Sequence, residues 1–508
     1  MGLASRALRI RPGEGRLVGL LIGLAFVALA SLAIGQSGIE ALFFDRIGTR
    51  KLPLMYLLQG GTTFLAMLGL TGLLGRLGPR RTYVLAPLAL AVVVLAERVL
   101  LLSGGRWVYP ALWLTVPIVV LAQGVVLWGT AGAVVDTRQA KRLFPVFAAG
   151  GIVGSVAGGL ATRPLAGLLG TSNLTVVWAA GLAGTFLLCR IVLGGAGSQA
   201  RRASALREMV GGFRSVRRSA LLRWMTAAAV LFSVLYYSLY LPYARVATDR
   251  FPDADRLAGF FGIFWAAVTG VAFLVSMLVA NRLFAWLGVA AMTIVLPLLY
   301  GGAFGILLVE SGFVALVGMR FVTGVWLQGV AAPGWETLVN VVPEDRRDQT
   351  RAFLNGGPTQ AGTVIAGVVA LVGQQALSPR QFALIGLAAA VLTTIAAIGI
   401  RRSYAGALLD ALRAGRPQVF ELASERPGVI GDAQAVRALT EAAGSPDVRL
   451  RRLAFDLLSE VAGGLPEWWL ADEDPVVRLL AVRGLSEVPG GLRPLVEDPH
   501  PAVATAAA

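Results

Sequence analysis

The chain of 508 residues is 56% hydrophobic and only 15% charged, with a formal net charge of +16 and a mean hydropathy of +0.72. These values exclude an ordinary soluble globular protein and indicate an integral membrane protein. A lone Cys189, a lone His500, and Lys51 and Lys141 as the only lysines leave no disulfide, no cysteine–histidine metal site, no histidine proton relay and no GxxxxGK[ST] phosphate loop, so neither cofactor, metal nor enzymatic activity is expected.

Twelve apolar stretches of bilayer-crossing length, about 20 residues each, are predicted near 17–44, 52–75, 82–102, 107–135, 143–169, 174–194, 221–247, 257–280, 284–308, 313–342, 352–376 and 381–400. The first is flanked like a secretory signal, but its span length and the eleven spans that follow mark it as a helix. Placing the N-terminus and every second loop in the cytoplasm puts 23 Lys/Arg inside against 7 outside. The positive-inside rule therefore predicts cytoplasmic N- and C-termini in a plasma (cytoplasmic) membrane. The basic charge is topological, and no nucleic-acid partner is implied.

Taken in chain order, ionisable groups inside spans are informative because a charge in hydrocarbon costs roughly 2.5–3.5 kcal/mol even on the lenient insertion scale. Glu40 lies near the outer end of span one, and Glu97 with Arg98 in span three. Residues 134–159 read VVDTRQAKRLFPVFAAGGIVGSVAGG, a charged segment opening into glycines. Gly150, Gly154 and Gly158 fall at i, i+4, i+8, beside a second small-residue row of Gly151, Ser155 and Gly159. Such rows admit close backbone approach in a membrane, as a sliding pivot or as static packing. Arg163 follows in the same span.

Residues 195–220 form a basic cytoplasmic linker between an N-terminal six-helix bundle (1–194) and a C-terminal one (221–402). Span seven carries Tyr236, Tyr240 and Tyr243 on one helix face, with Arg245 near its outer end; a solute wall, aromatic packing and an interfacial belt are all open readings. Span ten carries Arg320 and, in its cytoplasmic half, Glu336, a candidate proton carrier alongside Glu40. Gln59, Gln123, Gln328, Asn355 and Gln360 are lesser cavity-lining candidates. Arg98, Arg163, Arg245 and Arg320 outnumber Glu40 and Glu97, and a guanidinium surplus suits an anion, bound through parallel hydrogen bonds. Structural ion pairs and snorkelling account for part of the same pattern.

The halves are read as related, or as matching only because apolar helices resemble one another. An offset of 209 places Asp136, Arg138, Arg142, Phe144 and Gly158 on Asp345, Arg347, Arg351, Phe353 and Gly367, and QGV at 123–125 recurs at 328–330, with four more residues before the acidic position in the second half. Parallel six-span repeats predict an all-α, major facilitator-like fold. Asp136, Arg138, Lys141 and Arg142 then face Asp345, Arg347 and Arg351 across the cytoplasmic mouth. They are read either as a weak ionic gate, at ~0.2–1 kcal/mol per exposed pair, or as solvated loops. Beyond 402 hydropathy collapses. SPDVRLRRLAFDLLSEV (445–461) and DEDPVVRLLAVRGLSEV (472–488) repeat with a period of 29, and a third copy begins at EDPHPAVATAAA, ending as an atypical cap or as part of a longer chain. This predicts a small cytoplasmic helical tail over 403–508, similar to HEAT repeats, with a protein partner.

At DTRQAKRLFPVFAAGGIVGSVAGG and at FFGIFWAAVTGVAFLVSMLVANRLFAWLGVAAMTIVLPLLYGG (260–302) the sequence resembles the ATP/ADP carriers, nucleotide transport proteins that form a distant branch of the major facilitator group. The resemblance implies a transporter of nucleotides or other phosphorylated anions; no binding residue is carried over from it. The expectation is a secondary-active, alternating-access transporter of a small anionic solute, phosphorylated or carboxylated, with Arg98, Arg163, Arg245, Arg320, Glu40, Glu97, Tyr236 and Tyr240 as substrate-binding candidates. The alternatives are a membrane scaffold or receptor acting through the tail, and a lipid flippase using the same arginines.

Overall fold

The computed structural model describes residues 14–194, residues 213–413 apart from Leu377, and parts of 439–507. Among the described residues, twelve helices are long and apolar enough to cross a membrane. The first six are α1 (Gly15–Arg46), α2 (Leu52–Leu77), α3 (Pro79–Leu101), α4 (Val108–Val134), α5 (Thr137–Leu169) and α6 (Leu174–Leu193). Next come α7 (Ala220–Arg250) and α8 (Ala254–Val275), the latter running through a π turn, Ser276–Ala280, into Asn281–Leu287. After α9 (Val289–Leu307), α10 (Phe313–Trp326) passes through a second π turn, Leu327–Ala331, into Ala332–Val339; α11 (Glu344–Ala376) and α12 (Pro379–Arg413) complete the set. Even the 19-residue α9 reaches about 28 Å at 1.5 Å per residue, close to the hydrocarbon thickness. The chain is an all-helical integral membrane protein, in which helices satisfy their own backbone groups where no water can.

Within the first half α1 packs on α5 and α6, and α3 on α4 and α6; within the second, α7 packs on α11 and α12, and α9 on α12. Two seams join the halves, α5 with α8 and α11 with α2, and α1 also reaches α8. The seams are equivalent under the repeat, since α11 is the counterpart of α5 and α2 of α8. Short turns at Gly78 (φ 79°) and Gly288 (φ 83°) close the corresponding α2–α3 and α8–α9 hairpins, in a backbone region that glycine adopts without a side-chain penalty.

The two ends of the bundle differ. At the end remote from residues 14 and 413, here the distal end, one apolar cluster takes Phe43, Phe44 and Tyr56 from the first half and Tyr243, Phe261 and Phe264 from the second. Phe44 meets Phe261 with ring centroids 5.9 Å apart. Asp255 Oδ1 accepts from the Thr171 N–H at 2.8 Å and from its hydroxyl, and the Gln374 amide donates to the Arg50 carbonyl at 3.0 Å; both contacts cross between halves. At the opposite, terminal end each half has its own cluster, Val18, Leu24 and Phe147 in one and Leu222, Met225 and Leu338 in the other. The α2 residues Leu65, Leu73 and Leu77, toward that end, are exposed. Among the described residues, the distal cluster joins the halves, and at the terminal end each half keeps a cluster of its own.

The glycine row differs from the pivot expectation. A Cβ on Gly150, Gly154 or Gly158 would strike α1 at Ile22, Phe26 and Ala30, inside the same half. The row is an intra-half contact, matched turn for turn by α1. The inter-half approach belongs to the neighbouring row, where Gly159 meets the Gly262 carbonyl of α8. On the other seam a Cβ on Gly60 would meet the Gln360 carbonyl at 2.8 Å, and one on Gly367 the Pro53 carbonyl at 3.0 Å.

The two π turns touch each other, with Gly329 against Ala272 of α8. The QGV of 328–330 lies within one of them, so part of the extra length of the second half is taken up by a local overhang in α10. In the tail, α13 (Pro475–Arg483) and α14 (Pro501–Ala507) pack together, and Arg478 grips Asp498 through Nε at 2.7 Å and Nη2 at 3.0 Å. The greater part of the two repeat copies lies outside the described residues.

Candidate functional site

The centre of the molecule is built around Arg320 of α10. Its side chain is 1% exposed, and its guanidinium lies over the rings of Tyr236 (4.1 Å to the centroid), Tyr240 (5.3 Å) and Trp265 (5.7 Å). Spacing explains the arrangement: Tyr236 and Tyr240 are one helical turn apart on α7, so both rings face α10, and Trp265 of α8 closes the third side. Aromatic faces compensate part of the cost of burying a cation. The compensation is incomplete, because Nε and Nη2 of Arg320 have no hydrogen-bond partner in the protein.

Glu40 of α1 comes to the same place from the other half. It is buried; Oε1 accepts from Gln36 Nε2 at 3.0 Å, whereas Oε2 has no partner. Arg320 lies close enough to act on it electrostatically, and the Tyr240 hydroxyl and Trp265 indole N–H also adjoin it, though outside hydrogen-bond geometry. Gln59 of α2 donates to the Tyr237 hydroxyl at 2.6 Å, and Tyr56 stacks near Tyr237 with centroids 4.6 Å apart. The hydroxyls of Tyr56, Tyr240, Tyr243 and Tyr300 are buried without a partner as well. So many unsatisfied polar atoms around one cation is unusual in a native interior, and it marks a site built for something other than packing.

Beside this cluster lies a cavity of about 550 Å³. Tyr236 is the shared wall, since its ring both lines the cavity and carries Arg320 on its face. From Tyr236 and Tyr237 the cavity runs among α7, α9, α10, α11 and α12 past Thr363, Gln360 and Asn355 to Glu336 near the terminal end.

The remaining arginine candidates do not converge on this site. Arg98 donates from Nε and Nη2 to Asn173 Oδ1 (3.2 and 2.7 Å). Arg163 is exposed, its stem laid against Gly259. Arg245 is exposed and reaches Gln374 Oε1 at 3.4 Å near the distal rim. Glu97 is buried on α3, where Thr115 of α4 donates to it at 2.6 Å inside the first half. Of the four candidate guanidinium groups, Arg320 alone reaches this site; Arg98 is held by Asn173, and Arg163 and Arg245 are exposed.

Glu336 is likewise not an isolated buried carboxylate. It accepts from Arg351 Nε at 2.7 Å and its side chain is 45% exposed. Arg142, the repeat counterpart of Arg351, pairs with Glu14 of its own half at 2.9 Å. Asp136 caps α5 by accepting from the Gln139 N–H, and Arg347 donates to the Asn340 carbonyl at 3.0 Å. These four contacts lie within each half. The side chains of Arg138, Lys141 and Asp345 lie outside the described residues. Among the lesser candidates, Gln123 donates to the Ala28 carbonyl and Gln328 accepts from Thr269, while Asn355 and Gln360 line the cavity.

Gln36, Tyr56, Tyr237 and Trp265 were not singled out by the sequence. Tyr237 adjoins a tyrosine already selected, but a tryptophan in an apolar helix carries no local signal of what it faces.

No known family model and no curated protein matches the chain, so the likeness to ATP/ADP carriers rests on the quoted stretches alone. Solved structures do match. The nucleoside transporter NupG aligns with a TM-score of 0.55 at 14% identity, over 76% of this chain and 98% of that one. A POT family transporter in complex with 5-aminolevulinic acid aligns at 0.57 and 11%, over 78% and 99%. The fold is the twelve-helix fold of major facilitator-type transporters. A bacterial homologue of the iron transporter ferroportin in the inward-facing state aligns at 0.50 and 16%, over 74% and 98%. Three such unlike substrate classes on one architecture show that the fold does not name the cargo.

Proposed function

We propose that the protein is a secondary-active transporter that carries a small anionic solute by alternating access, in a conformation open toward the terminal end. The observation that carries the reading is Arg320, a fully buried cation with two unmatched donor atoms where both halves meet, beside a cavity of about 550 Å³. An anion brought to it would supply the acceptors the protein withholds. The two-ended packing supports motion: one apolar cluster joins the halves distally and two separate ones serve them at the other end. With basic loops cytoplasmic, the open end faces the cytoplasm.

The test is flux into proteoliposomes of labelled gluconate, succinate, glycerol 3-phosphate and ATP, with fluorescent phospholipid as a control. Arg320→Ala is expected to lower the flux of the transported anion at least tenfold while the protein stays monodisperse, with Arg320→Lys between the two. Flux of none of these anions, or flux unaltered by Arg320→Ala, overturns the proposal; movement of lipid alone points to a flippase.

A further inference from the structure

We infer that the solute is a monoanion, and that it travels with one proton carried on Glu40. The inference rests on the transport reading above and adds the charge of the substrate and the coupling ion.

Charge balance comes first. Among the described residues, the buried cluster of aromatic rings where the halves meet holds one cation, Arg320, and one carboxyl, Glu40, and they share two neighbours: Tyr240 and Trp265 lie under the guanidinium and also adjoin the carboxyl. Arg320 and Glu40 make no ion pair with each other, and each keeps polar atoms without a partner. Unpartnered donors on Arg320 and an unpartnered acceptor oxygen on Glu40 thus lie in one buried neighbourhood. With Glu40 ionised the pair is neutral, and an entering anion would leave a net negative charge in a dry, low-dielectric place. With Glu40 protonated the carboxylic acid keeps Oε1 on Gln36 and offers an O–H from Oε2, and Arg320 is left to bind one negative charge. Solute and proton then enter together and leave together, and the site is neutral both empty and loaded. A second negative charge has no counter-ion here, since Arg98, Arg163 and Arg245 lie elsewhere.

No other group among the described residues takes this role. Facing Glu40 are Gln36 on its own helix, Tyr56 of α2, Tyr240 and Tyr243 of α7, Trp265 of α8 and Arg320 of α10. On α5, which also packs on α1, Arg163 is turned outward. Tyrosines release protons only in strong alkali, and Glu336 is held by Arg351 in a half-exposed pair.

The cavity lining bears on the body of the solute. Ser233, Thr293, Thr359 and Thr363 line it, yet each hydroxyl proton is already given to a backbone carbonyl, a habit of such residues in helices. Their oxygens can still accept, on a wall that is otherwise mostly apolar, with Phe232, Leu296, Leu327 and Trp335 among it. The Asn355 and Gln360 amides add neutral donors and acceptors.

The full chain in proteoliposomes tests this with labelled gluconate, which is singly charged, hydroxylated and membrane-impermeant, beside succinate and ATP. An inward acid gradient should accumulate gluconate several-fold. A valinomycin potential should leave uptake unchanged, and a weakly buffered bath should lose one proton per gluconate. Glu40→Gln, a mimic of the protonated acid, should cut gradient-driven accumulation to under a tenth while retaining exchange of labelled for unlabelled gluconate. Electrogenic uptake, a proton ratio of zero, or gradient-driven accumulation surviving in Glu40→Gln overturns the inference and leaves the transporter reading intact. Flux of succinate or ATP without gluconate overturns the monoanion assignment alone, and flux of no anion overturns the transport reading beneath it. The proton count uses the unaltered protein, so it stands even where the Glu40→Gln variant fails to fold.

Discussion

Replacing Asp255 by Ala tests the distal seal directly. One carboxylate oxygen of Asp255 takes both the N–H and the hydroxyl of Thr171, and Thr171 is 3% exposed, so the loss orphans a buried backbone donor. Buried hydrogen bonds to a charged group contribute roughly 1.5–3 kcal/mol each. Asp255 is only half-buried, and screening brings the pair together to about 1.5–3 kcal/mol. At about 1.4 kcal/mol per tenfold, the ratio of distally open to distally closed molecules should rise by roughly 10–100-fold. The assay is alkylation by an impermeant maleimide of a cysteine placed at Ala258, a fully buried member of the inter-half cluster, in a Cys189→Ser background. Labelling should accelerate by that factor in Asp255→Ala and by less in Asp255→Asn, whose amide oxygen still accepts. Asp253→Ala is the control: Asp253 caps its own helix by accepting from the Asp255 N–H and does not touch the other half, so labelling should stay at the parental rate. Equal rates in Asp255→Ala and the parent would refute the idea that this contact holds the halves together.

Other expectations follow from the same packing. Gly154→Leu should abolish a monodisperse size-exclusion peak, because its Cβ would enter the backbone of α1 at Phe26, whereas Gly167→Ala, with open space around it, should melt within a degree or two of the parent. Thr115→Val removes the hydrogen bond to the buried Glu97 and should lower stability by roughly 1–3 kcal/mol, read as a fall in melting temperature. Glu336→Gln breaks a half-exposed pair and should change neither melting temperature nor the pH dependence of uptake appreciably, since such pairs contribute at most about 1 kcal/mol. In the tail, the hydrogen bonds from Arg478 hold the Asp498 carboxyl below its usual value. A depressed carboxyl stabilises above its unfolded pKa and loses that contribution as pH falls through the folded one. Amide protection in α13 and α14, taken relative to the intrinsic exchange rate at each pH, should therefore fall below about pH 4 and stay constant between neutrality and mild alkali.

Much of the architecture was readable because hydropathy is a local property. Twenty apolar residues need a helix and a bilayer whatever surrounds them, so the twelve spans appear close to where the sequence puts them. The halves were visible through Asp136 and Asp345 or Gly158 and Gly367, because equivalent helices meet equivalent neighbours. Single buried groups could be picked by type, as with Arg320, Glu40, Tyr236 and Tyr240, since a charge or hydroxyl in hydrocarbon must have a reason. What could not be read was company. Arg163 and Arg320 are alike as sequence features, and one faces outward while the other is boxed by three rings. Trp265 is ordinary as a letter in an apolar run.

The amino-acid order alone determined how many times the chain crosses the membrane, that its two halves repeat, and that polar groups must be buried along the way. Only the tertiary structure decided which of them meet. At 3.6 residues per turn one position rotates a side chain by about 100°, so Gly158 touches its own half and Gly159 the other. That rotation can be measured only against a neighbouring helix, and the neighbour is chosen by packing over the whole bundle.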